Sequence, residues 1–206
     1  MDDSTSGSAD GGRTAAVLLA AGAGTRFSGA SHKLLAEIGG QPIYLLALTH
    51  AVRAAVGPVI VVTGAVELAL PDGLGDRVTL VHNPDWRHGQ STSLLRGVTE
   101  ARRMGTTAVL VGLADQPGVT VEAWRRLAAS RSDLAVATYD GHRGHPVRIG
   151  ARHWDELPTS GDIGARDILS VHASGVEQVP CAGTATDIDT AEDLATWLRR
   201  SSTNSP

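Results

Sequence analysis

The sequence has a single cysteine, Cys181, and only 3% of its 206 residues are aromatic. One cysteine excludes both an internal disulfide framework and a cysteine metal cluster, and is typical of proteins of the reducing cytosol. Because aromatic side chains are scarce, the core must be built from Leu, Val, Ile and Ala, which belong to a hydrophobic fraction of 42%.

The sequence also lacks an excess of positive charge, since its formal net charge is −4. This argues against a general nucleic-acid binder, which needs a basic face, although a local basic pocket stays open. No apolar run approaches the roughly 20 residues that span a bilayer. Residues 1–12 lack the cationic and apolar regions of a secretory signal. We therefore expect a cytoplasmic protein with neither a nucleic-acid nor a membrane partner.

The length favours one domain, which we place at residues 14–200 between a disordered tail (1–13) and a flexible tail (201–206). Continuous apolar runs alternate with amphipathic segments, which is typical of a parallel sheet covered on both faces. The sequence predicts an α/β fold: a three-layer α/β/α, mostly parallel sheet with a small mixed insert. The predicted strands are the run ending near Ala20, 58–63, 78–82, 108–113, 134–138, 146–149 and 176–179. The predicted helices begin at Pro42, or cover 66–70, 90–104, 120–130, positions near Ala151 and Ile163, and 191–200.

A Gly- and Ala-rich loop follows the first strand and is followed by two cations, Arg26 and Lys33. Small residues let backbone N–H groups approach an anion, and the two cations suit a polyphosphate. The loop therefore predicts a nucleoside triphosphate cradle. Three alternatives stay open: a P-loop, which lacks its Gly-Lys-Ser/Thr; a dinucleotide-binding turn, disfavoured by Phe27 at the third small position; and a glycine turn without function.

Acidic residues follow a later apolar strand and precede the last helix. Asp115 comes after the run 108–113, so it should face the same crevice as the loop, and carboxylates beside a polyphosphate typically hold Mg²⁺. Its alternative role is a turn aspartate before a proline. Asp187 and Asp189 share one face of an extended segment; Asp193 has capping-box spacing to Thr190. Asp189 is the predicted second metal ligand, with Asp187 as the alternative.

Three further segments are candidates for substrate contacts. The loop 139–146 carries two His and an Arg, without recognisable zinc spacing, and reads as a binding loop or a flexible surface loop. The segment 161–166 resembles a helix start capped by Asp162, where Arg166 and two glycines add an anion site. The segment 83–93 offers polar groups for a nucleobase, with N-capping by Ser91 as the alternative.

Together these motifs resemble the MobA-like nucleotidyltransferases, and within them the molybdenum cofactor cytidylyltransferase branch. The resemblance covers about residues 14–198. It rests on Leu-Ala-Ala-Gly-Ala-Gly-Thr-Arg (19–26) with Lys33, Asn83-Pro84 to Ser93, Asp115-Gln116-Pro117, Gly144-His145-Pro146, Gly161 to Arg166, and Asp187 to Thr190. One departure is that Lys33 lies seven residues past Arg26, where the family usually has five, so two residues are inserted around Phe27-Ser28-Gly29.

The resemblance implies a Rossmann-like nucleotidyltransferase fold and assigns roles by position. Lys33, Arg26 and Asp115 are the implied catalytic residues, and Asp115 with Asp189 would hold Mg²⁺. The implied nucleotide-binding residues are Leu19, Ala20, Ala21, Gly22, Ala23, Gly24, Thr25, Arg26, Lys33, Asn83, Gln90, Ser91 and Asp115. The implied acceptor-binding residues are Gly144, His145, Pro146, Gly161, Asp162 and Arg166.

The predicted reaction is transfer of CMP from CTP to a phosphorylated acceptor, molybdopterin in this branch, with release of pyrophosphate and hand-over to a molybdoenzyme or its chaperone. A phosphate monoester is already an anion at pH 7, so no general base is needed. CTP is favoured because the methyl group of Ala21 replaces a glycine that would leave room for a purine. The alternatives are GTP, a sugar or alcohol phosphate acceptor, a non-catalytic cofactor-delivery module, and a nicotinamide-dependent oxidoreductase.

Overall fold

The computed structural model describes residues 13–28 and 32–203. Of the two predicted tails, residues 1–12 and 204–206 lie outside the described residues, as does Gly29 of the insertion. The last helix continues to Thr203, three residues beyond its predicted end at Arg200.

Seven strands form one sheet, and two very short strands form a separate hairpin. The sheet order is β5-β4-β1-β6-β8-β7-β9. Strand β8 runs antiparallel to both of its neighbours, whereas the other pairs are parallel. This confirms the mostly parallel sheet with a mixed part. The bounds are β1 Thr14–Ala20, β2 Glu37–Ile38, β3 Gln41–Pro42, β4 Val59–Thr63, β5 Val78–His82, β6 Ala108–Leu113, β7 Leu134–Tyr139, β8 His142–Gly150 and β9 Glu177–Pro180.

Helices cover both faces of the sheet, because successive side chains of the buried strands point to opposite sides. On one face Leu18 belongs to a core cluster with Trp124, and on the other Val17 belongs to a cluster with Leu94 and Ile149. In the described part of the chain no helix is long and apolar enough to cross a bilayer. The α-helices are α1 Ile43–Ala54, α2 Gln90–Arg103, α3 Val121–Ala129, α4 Arg166–Val171 and α5 Ala191–Thr203; 3-10 helices cover Lys33–Leu35, Trp86–His88, Ala151–Glu156 and Ala173–Gly175.

Two predicted elements differ from the structure. The segment 66–70 is not helical, because so short a piece before Pro71 cannot offset the cost of nucleation. The predicted loop 139–146 is largely a hairpin between β7 and β8, turning at Asp140 and Gly141, which have φ of 50° and 82°. The charged residues and glycines of this segment show no apolar alternation, so the sequence does not predict a strand there. The strand forms because the segment pairs with β7.

The parallel pairing of β4, β1 and β6 brings the segments that follow these strands to one edge of the sheet. The backbone N–H of Ala114 donates to Leu19 O at 3.0 Å, and that of Asn83 donates to Thr63 O at 2.8 Å. These bonds fix the exits of neighbouring strands side by side. The loop after β1 and the acid after β6 therefore lie together, as the sequence predicts.

Candidate active site

A cleft of about 1000 Å³ opens at this edge of the sheet. Its walls come from the loop after β1, the end of β6, the start of the antiparallel strand β8, the starts of α2 and α4, and the segment before α5. Five cations and four acids line it: Arg26, Lys33, Arg87, Arg143 and Arg166, with Asp115, Asp162, Asp187 and Asp189. This mixture suits anionic ligands held beside paired carboxylates.

Lys33, Asp115 and Asp189 meet at one point of the cleft. The Lys33 Nζ donates to Asp115 Oδ2 at 2.5 Å and to Asp189 Oδ1 at 2.7 Å. These three side chains are 12%, 16% and 18% exposed, so water screens the cluster only partly. Arg26 Nη2 lies 2.9 Å from Asp189 Oδ2, but its side chain is 74% exposed and can swing away. Four predicted residues thus converge although they come from segments far apart in sequence.

The electrostatics of this cluster leave room for a cation. Burial alone would lower the pKa of Lys33, but the Asp115 and Asp189 carboxylates outweigh it and raise that pKa, so the ammonium stays charged. Asp115 Oδ1 is buried and has no hydrogen-bond partner. A buried carboxylate oxygen without a donor is costly, and a hard divalent cation satisfies it. The residues present therefore fit a metal held by Asp115 and Asp189 and completed by phosphate oxygens.

Asp187 lies in the same wall but has a different partner. The Gln116 Nε2 donates to Asp187 Oδ1 at 2.7 Å, and desolvation followed by the nearby Asp115 charge raises the Asp187 pKa. The backbone N–H of Ile188 donates to Asp115 O at 3.0 Å, which fastens this segment to the end of β6. Asp189, not Asp187, therefore faces the Lys33 ammonium.

The cap of α5 has the predicted capping box. The Thr190 hydroxyl accepts from the Asp193 N–H at 3.1 Å, and the Asp193 carboxylate accepts from the Thr190 N–H at 2.8 Å. Because the box satisfies the first turn by itself, Asp189 is left available to the cleft.

His32 positions Lys33 and was not found from the sequence. Its Nε2 lies 3.0 Å from Gly22 O, and its Nδ1 accepts from the Leu34 N–H at 3.2 Å. Burial lowers the His32 pKa, which favours the neutral ring that these bonds require. At Gly24, with φ of +61°, a Cβ would lie 3.0 Å from Lys33 Cγ. The segment is thus folded against the loop, and Lys33 reaches the acids despite the insertion.

Two of the predicted nucleotide-binding residues, Asn83 and Ser91, have side chains that make hydrogen bonds inside the protein. Asn83 is fully buried, and its amide donates to Thr92 and Ser93 at 2.9 Å, which fastens the turn after β5 to α2. Ser91 is also fully buried and accepts from the Gly164 N–H at 3.3 Å. Ser91 is not the N-cap either, since α2 begins after Gly89. Gln90 lines the cleft, as does Ser93 of the same segment.

The steric basis for a CTP preference is not supported at Ala21. The residue is 3% exposed, and a Cβ built on Gly64 would lie 2.8 Å from its methyl group. The methyl group therefore packs against the end of β4, and little of the residue is accessible from the cleft that it lines. Trp86 belongs to the lining of the cleft. The Arg87 guanidinium lies over the indole ring of Trp86, 4.3 Å from its centroid. A Trp in a polar motif is the signal that could have shown this.

The predicted acceptor segment 161–166 is joined to the start of α2. The Gly161 N–H donates to His88 O at 2.8 Å, and Gly161 O accepts from the Ser91 N–H at 3.0 Å. Asp162 accepts from the Gln90 N–H at 3.3 Å, so it caps α2 and not α4 as predicted. Helix α4 has only six residues and is too short for an anion site at its start. Gly161 serves this joint and does not line the cleft.

His145 and Arg166 line the cleft together with Gly144, whereas Pro146 does not. Burial, followed by the Arg166 charge, lowers the pKa of His145 to about 4, so the ring is neutral at pH 7. Its Nδ1 is buried and has no hydrogen-bond partner. A neutral imidazole with a free nitrogen, beside a guanidinium, can hydrogen-bond a polar ligand without adding charge.

Comparison with known proteins places this site in a family. The profile of the MobA-like NTP transferase domain matches residues 16–178. The nicotine blue oxidoreductase of Paenarthrobacter nicotinovorans is 32% identical over 191 residues, which is 86% of this chain and 93% of that protein. The molybdenum cofactor cytidylyltransferase of Escherichia coli is 25% identical over 127 residues, 60% of this chain and 64% of that protein.

Solved structures share the fold. A nucleotidyl transferase from Methanothermobacter thermautotroptrophicus superposes with a TM-score of 0.77 at 24% identity, covering 93% of this chain and 99% of that chain. Rv0371c from Mycobacterium tuberculosis, solved in complex with manganese, gives 0.72 at 24% identity and covers 91% and 98%. With most of its length matched by the domain profile, this chain is a nucleotidyltransferase and belongs to the MobA-like NTP transferase domain family.

Proposed function

We propose that the protein transfers a nucleotidyl group, CMP from CTP, to the phosphate of a small acceptor such as molybdopterin, with a divalent metal and release of pyrophosphate. The observation that carries the proposal is the contact of Lys33 with both Asp115 and Asp189 at the floor of a cationic cleft. A mere binding module has no need of paired carboxylates that a lysine must neutralise. Work in the cytoplasm fits the single cysteine.

In this mechanism Asp115, whose Oδ1 has no hydrogen-bond partner, and Asp189 would hold the metal, Mg²⁺ or Mn²⁺. When bound, the metal supplies positive charge to the phosphate oxygens. Lys33 then has phosphate oxygens as well as carboxylates to pair with. Arg26, whose side chain is 74% exposed, would close on the outer phosphates, where its fork can bind two oxygens. The backbone of residues 22–25 cradles the chain of phosphates.

The bond changes need no proton transfer from the protein. An oxygen of the acceptor phosphate attacks the α-phosphorus of the nucleotide, the bond to the β-phosphate breaks, and pyrophosphate leaves. A phosphate monoester has a second pKa near 6 and is already a competent nucleophile at pH 7. The protein contributes positioning and charge compensation at the α-phosphorus. The neutral His145 is consistent with a binding role rather than a base.

Separate observations support the choice of base and acceptor. The Ala20-Ala21-Gly22 sequence resembles the cytidylyl branch, and the relative from E. coli carries that activity in its name. Trp86 offers a face on which a base can stack, next to the end of the loop. Arg166, Arg143 and His145 also line the cleft, and a phosphorylated acceptor would bind to them.

The test is pyrophosphate release with each of the four NTPs, with Mg²⁺ or Mn²⁺, against molybdopterin and a panel of sugar and alcohol phosphates. We expect CTP with molybdopterin to give the highest turnover, and Asp115→Asn to lose it. The full chain binding CTP without releasing pyrophosphate with any acceptor would favour the delivery module. GTP used ahead of CTP would contradict the choice of base.

A second candidate is an oxidoreductase, favoured by the 32% identity to a protein named nicotine blue oxidoreductase over 93% of its length. The same preparations can be assayed for oxidation of reduced nicotinamide dinucleotides with a dye acceptor. Oxidation that survives Asp115→Asn, without any pyrophosphate release, would favour this candidate over nucleotidyl transfer.

A further inference from the structure

A second polar cluster lies outside the cleft residues, where the 3-10 helix 151–156 meets the end of α4. His153 Nδ1 lies 2.8 Å from Glu156 Oε1, and His172 Nε2 lies 2.6 Å from Glu156 Oε2. The two imidazole rings meet edge to face with centroids 4.7 Å apart. One ligand atom from each residue lies within 4.8 Å of the other two. It is the one such group of His, Cys, Asp and Glu in residues 13–28 and 32–203.

We propose that His153, Glu156 and His172 form a second metal site, for zinc or a similar divalent transition metal, which ties residues 151–156 to the end of α4. The proposal is independent of the reaction in the cleft. Two imidazoles and one carboxylate are a donor set that zinc uses, with water at the fourth position. Hard ions such as Mg²⁺ prefer oxygen ligands, so this site and the Asp115 site would select different metals.

The geometry needs only a small adjustment. Zinc–nitrogen bonds of about 2.0 Å place tetrahedral ligand atoms about 3.3 Å apart. The three ligand atoms now lie within 4.8 Å of one another, so they would have to move closer together. His153 is buried and gives a fixed ligand, with its side chain 8% exposed. Glu156 and His172 are 44% and 34% exposed and can move toward it.

Arg152 makes a hydrogen bond that must break when a metal binds His153, and this provides a specific test of the proposal. Its Nε donates to His153 Nε2 at 3.1 Å, which places the ring proton on Nδ1, facing Glu156. A metal on Nδ1 requires the proton to move to Nε2, and Arg152 must then withdraw. Its side chain is 70% exposed and also pairs with Asp133 at 2.9 Å, so withdrawal is feasible.

The proposed metal site would stabilise the wall of the cleft to which α4 contributes. Ile168 and Leu169 of α4 pack in the same core cluster as Trp154 and Leu157, and Leu169 with Ser170 also lines the cleft. A metal bound by Glu156 and His172 would join residues 151–156 to the end of α4 and so hold these packed segments together. Metal binding to the folded state then raises stability by mass action.

The experiment is titration of the chelator-treated full chain with Co²⁺, followed by its visible d–d absorption, and then with Zn²⁺ by calorimetry and thermal unfolding. We expect one Co²⁺ per chain with tetrahedral bands, and a rise in Tm with zinc. His172→Gln and Glu156→Gln should lose both effects, with affinity falling by at least the ~10–100-fold that outer-shell changes cost. His82→Gln, an exposed histidine on β5, is the matched control and should behave as the parent chain.

Arg152→Gln should tighten zinc binding by about tenfold, because the metal no longer has to break a charged hydrogen bond to His153, an effect that a merely structural triad would not produce. Weaker binding in this variant would overturn His153 as a ligand. Equal Co²⁺ bands and equal zinc uptake in the parent chain and His172→Gln would overturn the site, provided circular dichroism shows that both are folded. If His172→Gln fails to fold, the same comparison is made with Glu156→Gln, which keeps both imidazoles.

Discussion

Two walls of the cleft use glycine for opposite purposes. The nucleotide wall is the loop 19–26 with Lys33, Asp115 and Asp189, and the acceptor wall is residues 143–145 with the segment 161–166. In the nucleotide wall, a Cβ built on Gly22 meets nothing within 4 Å, so the backbone there is open to a ligand. Where the start of α2 meets the acceptor segment 161–166, Gly89 has φ of +104°, and a Cβ there would lie 2.3 Å from the backbone of Gly161. The first glycine leaves space for a substrate, and the second lets two chain segments touch. A glycine in the sequence therefore marks a binding loop at Gly22 and a close contact between two chain segments at Gly89.

The walls also differ in how their polar groups are partnered. Lys33 and Asp115 in the nucleotide wall have partners in distant segments and still leave Asp115 Oδ1 unpaired. In the acceptor wall Asp162 caps α2, whereas His145 Nδ1 stays buried without a partner. Unpaired buried atoms on both walls face the same cleft, which is where two substrates would meet.

The largest expected effect separates catalysis from folding in the nucleotide wall. Asp115→Asn and Asp189→Asn should each lower kcat on the order of 10²–10³-fold, because each removes charge that holds the metal at the reacting phosphate. Asp187→Asn is the matched control, since Asp187 pairs with Gln116 instead of Lys33. Steady-state pyrophosphate release checks this, with circular dichroism for the fold. Loss of activity in Asp187→Asn but not in Asp189→Asn would reverse the assignment of the two acids.

Lys33→Ala should also lower kcat strongly, and it should lower stability as well. Two partly buried carboxylates would be left without their shared ammonium, and unpaired buried charge is costly. Added Mg²⁺ should restore part of the stability but not the turnover. Thermal unfolding with and without Mg²⁺ measures the first effect; unchanged kinetics would place Lys33 outside the mechanism.

The contrast between the glycines is tested by Gly89→Ala and Gly22→Ala. Gly89→Ala should lower the free energy of unfolding by at least about 1–3 kcal/mol, through backbone strain and its collision with Gly161. Gly22→Ala should leave stability nearly unchanged and raise the KM for the nucleotide, because a methyl group enters the space left for phosphates. Urea unfolding and kinetics of both variants check this. Equal destabilisation by the two changes would abolish the distinction drawn between the walls.

A smaller effect should divide the two arginines by substrate. Arg26→Ala should raise the KM for the nucleotide about tenfold, the cost of one charged hydrogen bond, whereas Arg166→Ala should raise the KM for the acceptor by a similar factor. Stability should hardly change with Arg26→Ala, since its ion pair is largely exposed. Matched changes of both KM values in both variants would argue against separate substrate walls.

A further expected effect is a pH dependence of stability in the acceptor wall. His145 has a folded pKa of about 4 against the ordinary 6.5, so between these values the unfolded chain binds more protons than the folded chain. Its contribution therefore lowers the free energy of unfolding as the pH falls from 6.5 toward 4. His145→Gln should flatten the profile in that window. A profile identical to that of the parent chain would show that the ring is not desolvated.

The parts predictable from the sequence are those set by local patterns. Continuous apolar strands gave the sheet, with β5 and β6 at their predicted bounds, and strand ends brought Asp115 beside the Gly22 loop. The failures arise from tertiary contacts. Asn83 and Ser91 have the polarity of ligands but turn inward, and Asp162 caps α2 because the joint at Gly161 places it there. His32 could not be found, since its role depends on a fold-back onto Gly22.

The most direct measurement follows the fate of the α-phosphorus of CTP labelled at that position, with Mg²⁺, molybdopterin and the full chain. We predict that the label moves to the acceptor in equal amount to the pyrophosphate released, and that Asp115→Asn abolishes both. Label that remains in CTP with every acceptor, or is released only as free CMP, while the nucleotide is shown to bind, would contradict nucleotidyl transfer by this cleft.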